Sequence, residues 1–158
     1  MAGKAKPVPE GYHTVTAYLS VRGAAEAIAF YKKAFGASEL TRMDMPGGKV
    51  GHAELQIGDS RIMLADEFPD MPDAVAKSPR TLGGTTVGFN IYLENVDARF
   101  KQAVDAGATV KRPVQNQFYG DRSGTVEDPF GHVWTLATHV EDVPAEELKK
   151  RMAAMPKG

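Results

Sequence analysis

His52 and Glu54 stand two residues apart in the stretch Lys49 to Ile57, where Ala53, Leu55 and Ile57 alternate with polar residues. Alternation puts the two side chains on one face of a strand. An imidazole beside a carboxylate offers two donors to a divalent cation, or a couple able to move a proton. A metal site also requires a third ligand and groups that orient the first ones, so a polar strand face is the simpler reading and a site on His52 and Glu54 the alternative. His13, His132 and His139 fall at strand edges or in a turn and are expected at the surface. The chain has no cysteine, which removes disulfides, thiolate metal sites and cysteine nucleophiles together. No serine joins a histidine in a recognisable nucleophile arrangement.

Other candidates are binding groups rather than catalysts. Thr16, Tyr18, Met63, Asn90, Tyr92 and Thr135 all fall on strand faces opposite the apolar stripes, and aromatic and methionine walls with a few fixed polar groups are what small-molecule sites use. Phe118, Tyr119 and Arg122 lie at the rim of that surface. An arginine there can hold a carboxylate or phosphate bidentately. Pairing of Arg122 with Asp121, Glu127 or Asp128, which would only fix the turn, is the preferred alternative. Trp134 has the parity of Leu136 and is expected in the core.

The elements that must position these groups come in two sets. From His13, Val15, Ala17, Leu19 and Val21 alternate with Thr14, Thr16, Tyr18 and Ser20, the period of a half-buried strand. Ala24 to Phe35 takes helical spacing, with Ile28, Tyr31 and Phe35 on one stripe, and Gly36 ends it. Strands follow at Ala37 to Met45, Lys49 to Ile57 and Ser60 to Asp66, separated by Pro46-Gly47-Gly48 and Gly58-Asp59 turns. The second set repeats the order. Val87 to Leu93 is a strand, Asn95 or Asp97 caps a helix running to about Ala106, and a strand follows near Thr109 to Val114. Ser123 to Glu127 and His132 to Thr138 then form a hairpin about Asp128-Pro129-Phe130-Gly131, where proline presets φ and glycine accepts a positive φ.

The predicted organisation is α+β: residues 1–12 a flexible lead-in, 13–139 one domain of two βαβββ modules (13–66 and 87–139) joined by a loop at 67–86, and 140–158 a tail with a short helix. Loop 67–86 is rich in proline, glycine and polar residues and long enough to be functional or mobile. Nineteen basic against twenty acidic residues leave no electrostatic footprint for nucleic acid and no polybasic membrane patch. No run approaches the roughly 18 apolar residues of a membrane span, and MAGKAKPVPEGY lacks the apolar core of a signal peptide, so a cytoplasmic location is expected.

The segments VTAYLSVRGAAEAIAFYKKAFGA and FYGDRSGTVEDPFGHVWTL, in that order in two βαβββ modules, resemble the opening strand and helix and the closing hairpin of the vicinal oxygen chelate superfamily. This is the superfamily of glyoxalases, bleomycin-resistance proteins and dioxygenases, and the bleomycin-resistance-like subgroup is the nearer match. The resemblance covers about residues 13 to 139. It implies half-barrel modules with a pocket or metal site on the concave face, in which first and last strands supply four ligands. By strand position those places hold Thr16, Met63, Asn90 and Thr135, or Tyr18, Ala65, Tyr92 and Ala137 if the register moves by two. Neither set suits zinc, nickel or iron. The expectation is therefore a homodimeric protein that binds a small organic molecule with no cofactor, a divalent metal being disfavoured. A lyase, isomerase or dioxygenase-type enzyme with an atypical metal site is the alternative, with Tyr18, Tyr92 or His52 transferring the proton.

Overall fold

The computed structural model describes residues 5–71 and 76–156. Parts of the expected lead-in (1–4), loop (72–75) and tail (157–158) lie outside the described residues. The chain divides into two compact units, Met1–Gly84 and Thr85–Gly158.

The first unit contains β1 (Ala17–Val21), α1 (Ala24–Phe35), β2 (Ser38–Asp44), β3 (Val50–Ile57), β4 (Ser60–Asp66) and the short α2 (Pro79–Leu82). Its sheet runs β1-β4-β3-β2, with β1 parallel to β4 and the other pairs antiparallel. α1 has the predicted bounds because Gly23 and Gly36, both at positive φ, flank a run of good helix formers with one apolar stripe. That stripe, Ile28, Tyr31 and Phe35, is buried together with Leu19, Val21, Leu55, Ile62 and Leu64 of the sheet. Each such aliphatic side chain contributes about 1.5–3 kcal/mol by leaving water. Asp66, at the end of β4, is the polar keystone. Its Oδ1 accepts the N–H groups of Gly23 and Ala24 at 2.8 and 3.0 Å, and its Oδ2 that of Val50 at 2.7 Å. One buried carboxylate thus joins the N-terminus of α1 to the start of β3 and satisfies donors a helix end leaves open.

The second unit contains β5 (Gly88–Tyr92), α3 (Val96–Asp105), β6 (Thr109–Asn116), β7 (Asp121–Glu127), β8 (Val133–His139) and α4 (Ala145–Ala153). The sheet order β5-β8-β7-β6 reproduces the first unit, again with one parallel pair, β5 with β8. Asn95 caps α3, its side chain accepting from Ala98 N–H at 3.1 Å. The expected turn at 128–131 closes through Asp128, whose Oδ1 accepts from the N–H groups of Phe130 and His132. Its Oδ2 accepts from the Trp134 indole at 2.9 Å, so Trp134 is core as its parity requires and its one polar atom is satisfied.

Three expectations need correction, and the loop gains a detail. β1 begins at Ala17 rather than His13, and Val15, 87% exposed, lies ahead of the ladder where no partner strand covers it. The loop read at 67–86 contains a helical turn, because Ser78 accepts from Thr81 N–H and Pro79 suits a first helical position. His132 is buried rather than at the surface, held beneath the turn by its N–H bond to Asp128 and against Phe89. Arg122 does not pair with Asp121, Glu127 or Asp128. It forms a two-pronged ion pair with Asp97 of α3 at 2.7 and 2.8 Å and reaches Asn116, because its side chain points to the helix side of β7.

Candidate functional site

On the sheet of the first unit, Tyr18 on β1 and His52 on β3 reach towards each other across the intervening β4, away from the α1 stripe. The Tyr18 hydroxyl and His52 Nδ1 share a hydrogen bond of 2.9 Å, and the His52 Nε2–H faces Glu54 Oε1 at 3.2 Å, the carboxylate being able only to accept. Glu54 Oε2 accepts the hydroxyl of Tyr12. Tyr12 is set by Arg61, whose guanidinium lies 4.7 Å from its ring centroid and also bonds Gln56 and the Glu10 carbonyl. The four side chains make one continuous chain from Tyr12 to Tyr18. Its electrostatics are consistent along its length. The bond from Tyr12, with a smaller contribution from His52, holds the Glu54 carboxyl below its ordinary range. Burial, and for Tyr12 also the bond to Glu54, pushes both phenols up, so both are protonated donors near neutrality.

This chain ends at a cavity of about 380 Å³, within the range of small-molecule sites. Tyr18, His52 and Ser20 form its polar wall. Met43 and Met45 from the β2 side, Ala65 from β4, and Phe68, Met71 and Ala76 beyond it form the apolar one. Gly51 makes room, since a Cβ there would come within 2.9 Å of Met45 Cγ. Asp66 also borders the cavity, but both its oxygens are committed to backbone donors.

Among the residues singled out from sequence, Tyr18 lines this cavity and Thr16 and Met63 lie in the same unit outside its lining. Asn90, Tyr92, Phe118, Tyr119, Arg122 and Thr135 belong to the second unit. There Asn90 is exposed and Thr135 Oγ1 shares a hydrogen bond of 2.9 Å with Thr125 Oγ1. Tyr92 donates to Asp121 Oδ2 at 2.9 Å, and His139 bridges Asp121 and Asp142 at 2.8 and 2.9 Å. Those two carboxylates, Asp121 first, raise the His139 pKa, while the bond to Asp121 raises that of Tyr92. Phe118 and Tyr119 pack edge to face beside Arg151, which donates to the Phe118 carbonyl. The sequence reading missed Met43, Met45, Phe68 and Met71. β2, whose residues are all exposed, has no alternation that would single out Met43, and Phe68 and Met71 lie in a segment without periodicity.

The sequence profile of the Glyoxalase/Bleomycin resistance protein/Dioxygenase superfamily matches residues 12–136, most of the chain and both units' sheets. The chain belongs to that superfamily. An uncharacterized protein of Mycobacterium bovis, Mb0911c, is 43% identical over 141 residues, covering 89% of this chain and 93% of its own. Among solved structures, the Arabidopsis thaliana At5g48480 product is 29% identical with a TM-score of 0.64 over 80% of this chain and 98% of its own. TioX from Micromonospora sp. ML1 is 26% identical with a TM-score of 0.63 over 81% of this chain and 99% of its own.

The superfamily's metal-using members draw ligands from first and last strands, and the residues at those places here do not make such a set. The ladder also corrects the expected register. Asn90 faces Thr135 across β5 and β8, but it is Tyr18 that faces Met63 across β1 and β4, Thr16 lying one residue ahead of the strand. The rungs therefore present a phenol and a thioether in one unit and an amide and a hydroxyl in the other, a poor set for a divalent ion. Among the described residues no group of three or more His, Cys, Asp or Glu side chains is placed to hold a metal. His52 and Glu54 are spent on each other and on two tyrosines. No helix among the described residues is long and apolar enough to cross a membrane.

Proposed function

We propose that this superfamily member binds a small, mostly apolar organic molecule in the cavity of its first unit, without the family metal. The observation that carries this reading is the cavity itself, about 380 Å³, with methionine and phenylalanine on one wall and the Tyr18–His52 pair on the other. Methionine side chains adapt their shape and offer polarizable surface, which suits a hydrocarbon or aromatic body. Among the described residues the lining carries no lysine or arginine to serve as counter-ion for a phosphate or sulfate group. Assembly as a homodimer and residence in the cytoplasm belong to the same proposal. Sedimentation velocity tests the first of these, and a single monomeric species across micromolar concentrations would reject it.

The decisive measurement is a thermal-shift screen of chelator-treated protein against neutral aromatic and alicyclic compounds. A ligand at a hundred times its Kd stabilises by about 2.7 kcal/mol, a readable upward shift. Met43→Glu, at a residue 62% exposed on a strand of exposed residues, is expected to leave the unliganded melting temperature nearly unchanged and abolish the shift. A shift that appears only after zinc, nickel or iron is added, or that survives Met43→Glu, overturns the reading.

A further inference from the structure

The methionine wall of the cavity holds more sulfur than an apolar surface needs. Met43, Met45 and Met71 are 62, 45 and 55% exposed, so their side chains gain little by burial, yet all three line this one cavity. Leucine would serve an apolar wall as well, whereas a thioether adds a soft donor atom. The ladder brings these donors to an imidazole. Met43 is paired directly with His52 across β2 and β3, which sets their Cβ atoms about 4.5–5.5 Å apart. Met45 lies over the residue before His52, its Sδ 3.2 Å from where a Cβ of Gly51 would stand. Met71 reaches the same cavity from the segment after β4. His52 itself is held as metal-binding imidazoles are. Its Nε2–H faces Glu54 Oε1 at 3.2 Å, and Glu54 is fixed in turn by the Tyr12 hydroxyl, with the Arg61 guanidinium over the Tyr12 ring. A carboxylate on one ring nitrogen fixes the tautomer and leaves the lone pair on the other, the outer support that ligating histidines use.

We propose that the thioethers of Met43, Met45 and Met71, with Nδ1 of His52, form a site for a soft monovalent metal ion, copper(I) or silver(I), on the wall of this cavity. Nδ1 now meets the Tyr18 hydroxyl at 2.9 Å. Tyr18 is 51% exposed, so its hydroxyl can turn to water when Nδ1 takes the ion. The rest of the lining sets the selectivity. The oxygens of Asp66 are held by three backbone N–H groups, and the Ser20 hydroxyl points to the Ala76 carbonyl at 3.4 Å. Three neutral sulfurs and one imidazole suit a soft, singly charged ion. Zinc is bound by thiolate, imidazole and carboxylate, of which this wall offers a single imidazole. The three sulfurs lie on or just beyond β2 and after β4, away from the rungs where Tyr18 faces Met63 and Asn90 faces Thr135. The ion site requires no organic ligand, although an ion and an apolar molecule would compete for the same wall.

The test titrates silver nitrate, which is stable in air, into the full-length protein labelled at its methionine methyl groups, in chloride-free buffer, and follows the methyl resonances by NMR and the affinity by calorimetry. The resonances of Met43, Met45 and Met71 are expected to move together and to saturate at one equivalent, while those of Met63, Met152 and Met155 stay. Met152 and Met155 are 56 and 49% exposed, so they report whether silver simply meets any accessible thioether. Zinc sulfate should move none of the six. Glu54→Gln is expected to weaken silver by about 10–100-fold through its hold on His52. The combined variant Met43→Leu, Met45→Leu and Met71→Leu keeps an apolar wall and should lose the calorimetric signal while a neutral aromatic compound that stabilises the wild type still stabilises the variant. Equal movement of Met152 and Met155, the same shifts with zinc, or undiminished silver affinity in the triple variant overturns the ion site. A wild-type chain that binds the aromatic compound but not silver loses the ion site alone, and one that binds silver but no organic compound keeps the ion site and loses the organic one.

Discussion

The two units have the same strand order and nearly the same ladder register, yet they carry different chemistry on equivalent rungs. Tyr18 opposite Met63 corresponds to Asn90 opposite Thr135, and Glu54 beside Met63 corresponds to Thr125 beside Thr135. By the same count His52 corresponds to Ser123. The first unit thus holds a hydrogen-bonded chain of phenols, an imidazole and a carboxylate where the second holds an amide and hydroxyls, with Thr125 and Thr135 bonded to each other. The helix starts differ as well. Asp66 holds the start of α1 through two backbone donors and the start of β3 through a third, whereas its counterpart Thr138 accepts from Val96 N–H and donates to the Leu93 carbonyl. Backbone architecture is therefore maintained by whatever polar group fits, and the face opposite the helix is free to carry or lose a reactive set.

The largest expected effect tests the helix starts. Asp66→Ala leaves three buried N–H groups without their charged acceptor and should cost about 3 kcal/mol, whereas Thr138→Val should cost about 1 kcal/mol. Urea unfolding of both variants decides the point, and equal losses would end the distinction between carboxylate and hydroxyl anchors. Next comes Gly124 of β7, where a Cβ would lie 2.6 Å from the ring of Phe100 on α3. Gly124→Ala is expected to destabilise by about 1–3 kcal/mol through overpacking. The first unit has Ala53 at the equivalent rung, so the substitution asks whether the second unit's tighter helix approach is real. An unchanged urea midpoint would show that Phe100 moves aside freely.

Much of this was legible beforehand, for physical reasons that can be named. α1 was delimited because glycines at both ends interrupt a strong apolar stripe, and the closing hairpin because Asp-Pro-Phe-Gly has only a few ways to fold. Periodicity also put Tyr18 and His52 on exposed faces but could not join them, since their contact depends on β1 and β3 each flanking β4, a long-range arrangement. The Arg122 partner was missed for a similar reason. Its near neighbours in sequence are acidic, but Asp97 lies on a helix that only the folded sheet brings within 2.7 Å. The methionine wall was invisible where it comes from the segment after β4, which has no period to read.

The smallest expected effects are the most specific to the comparison, because equivalent positions titrate with opposite sign. Glu67, the residue after β4, is buried, which pushes its carboxyl up, but bonds from Thr81 and Ser78 and from Arg22 outweigh this and bring its pKa down to about 2. Its folded value is below the unfolded one, so its contribution is complete above about pH 4.5 and is lost as pH falls toward 2. Glu67→Gln should lower stability at pH 7 by about 1–2 kcal/mol and flatten the acid limb of the stability profile. The counterpart after Thr138 is His139, whose pKa is raised by Asp121 and then by Asp142. That contribution is complete below the unfolded histidine value and disappears as pH rises through the folded one. NMR titration should place His139 above 6.5, with Asp121→Asn moving it down. Because His139 is largely solvent-exposed, the accompanying change in stability is expected to be slight and to shrink with added salt. A His139 titration at or below the ordinary value would mean that the carboxylates do not grip it, and the second unit would then have no counterpart to the acid-sensitive anchor of the first.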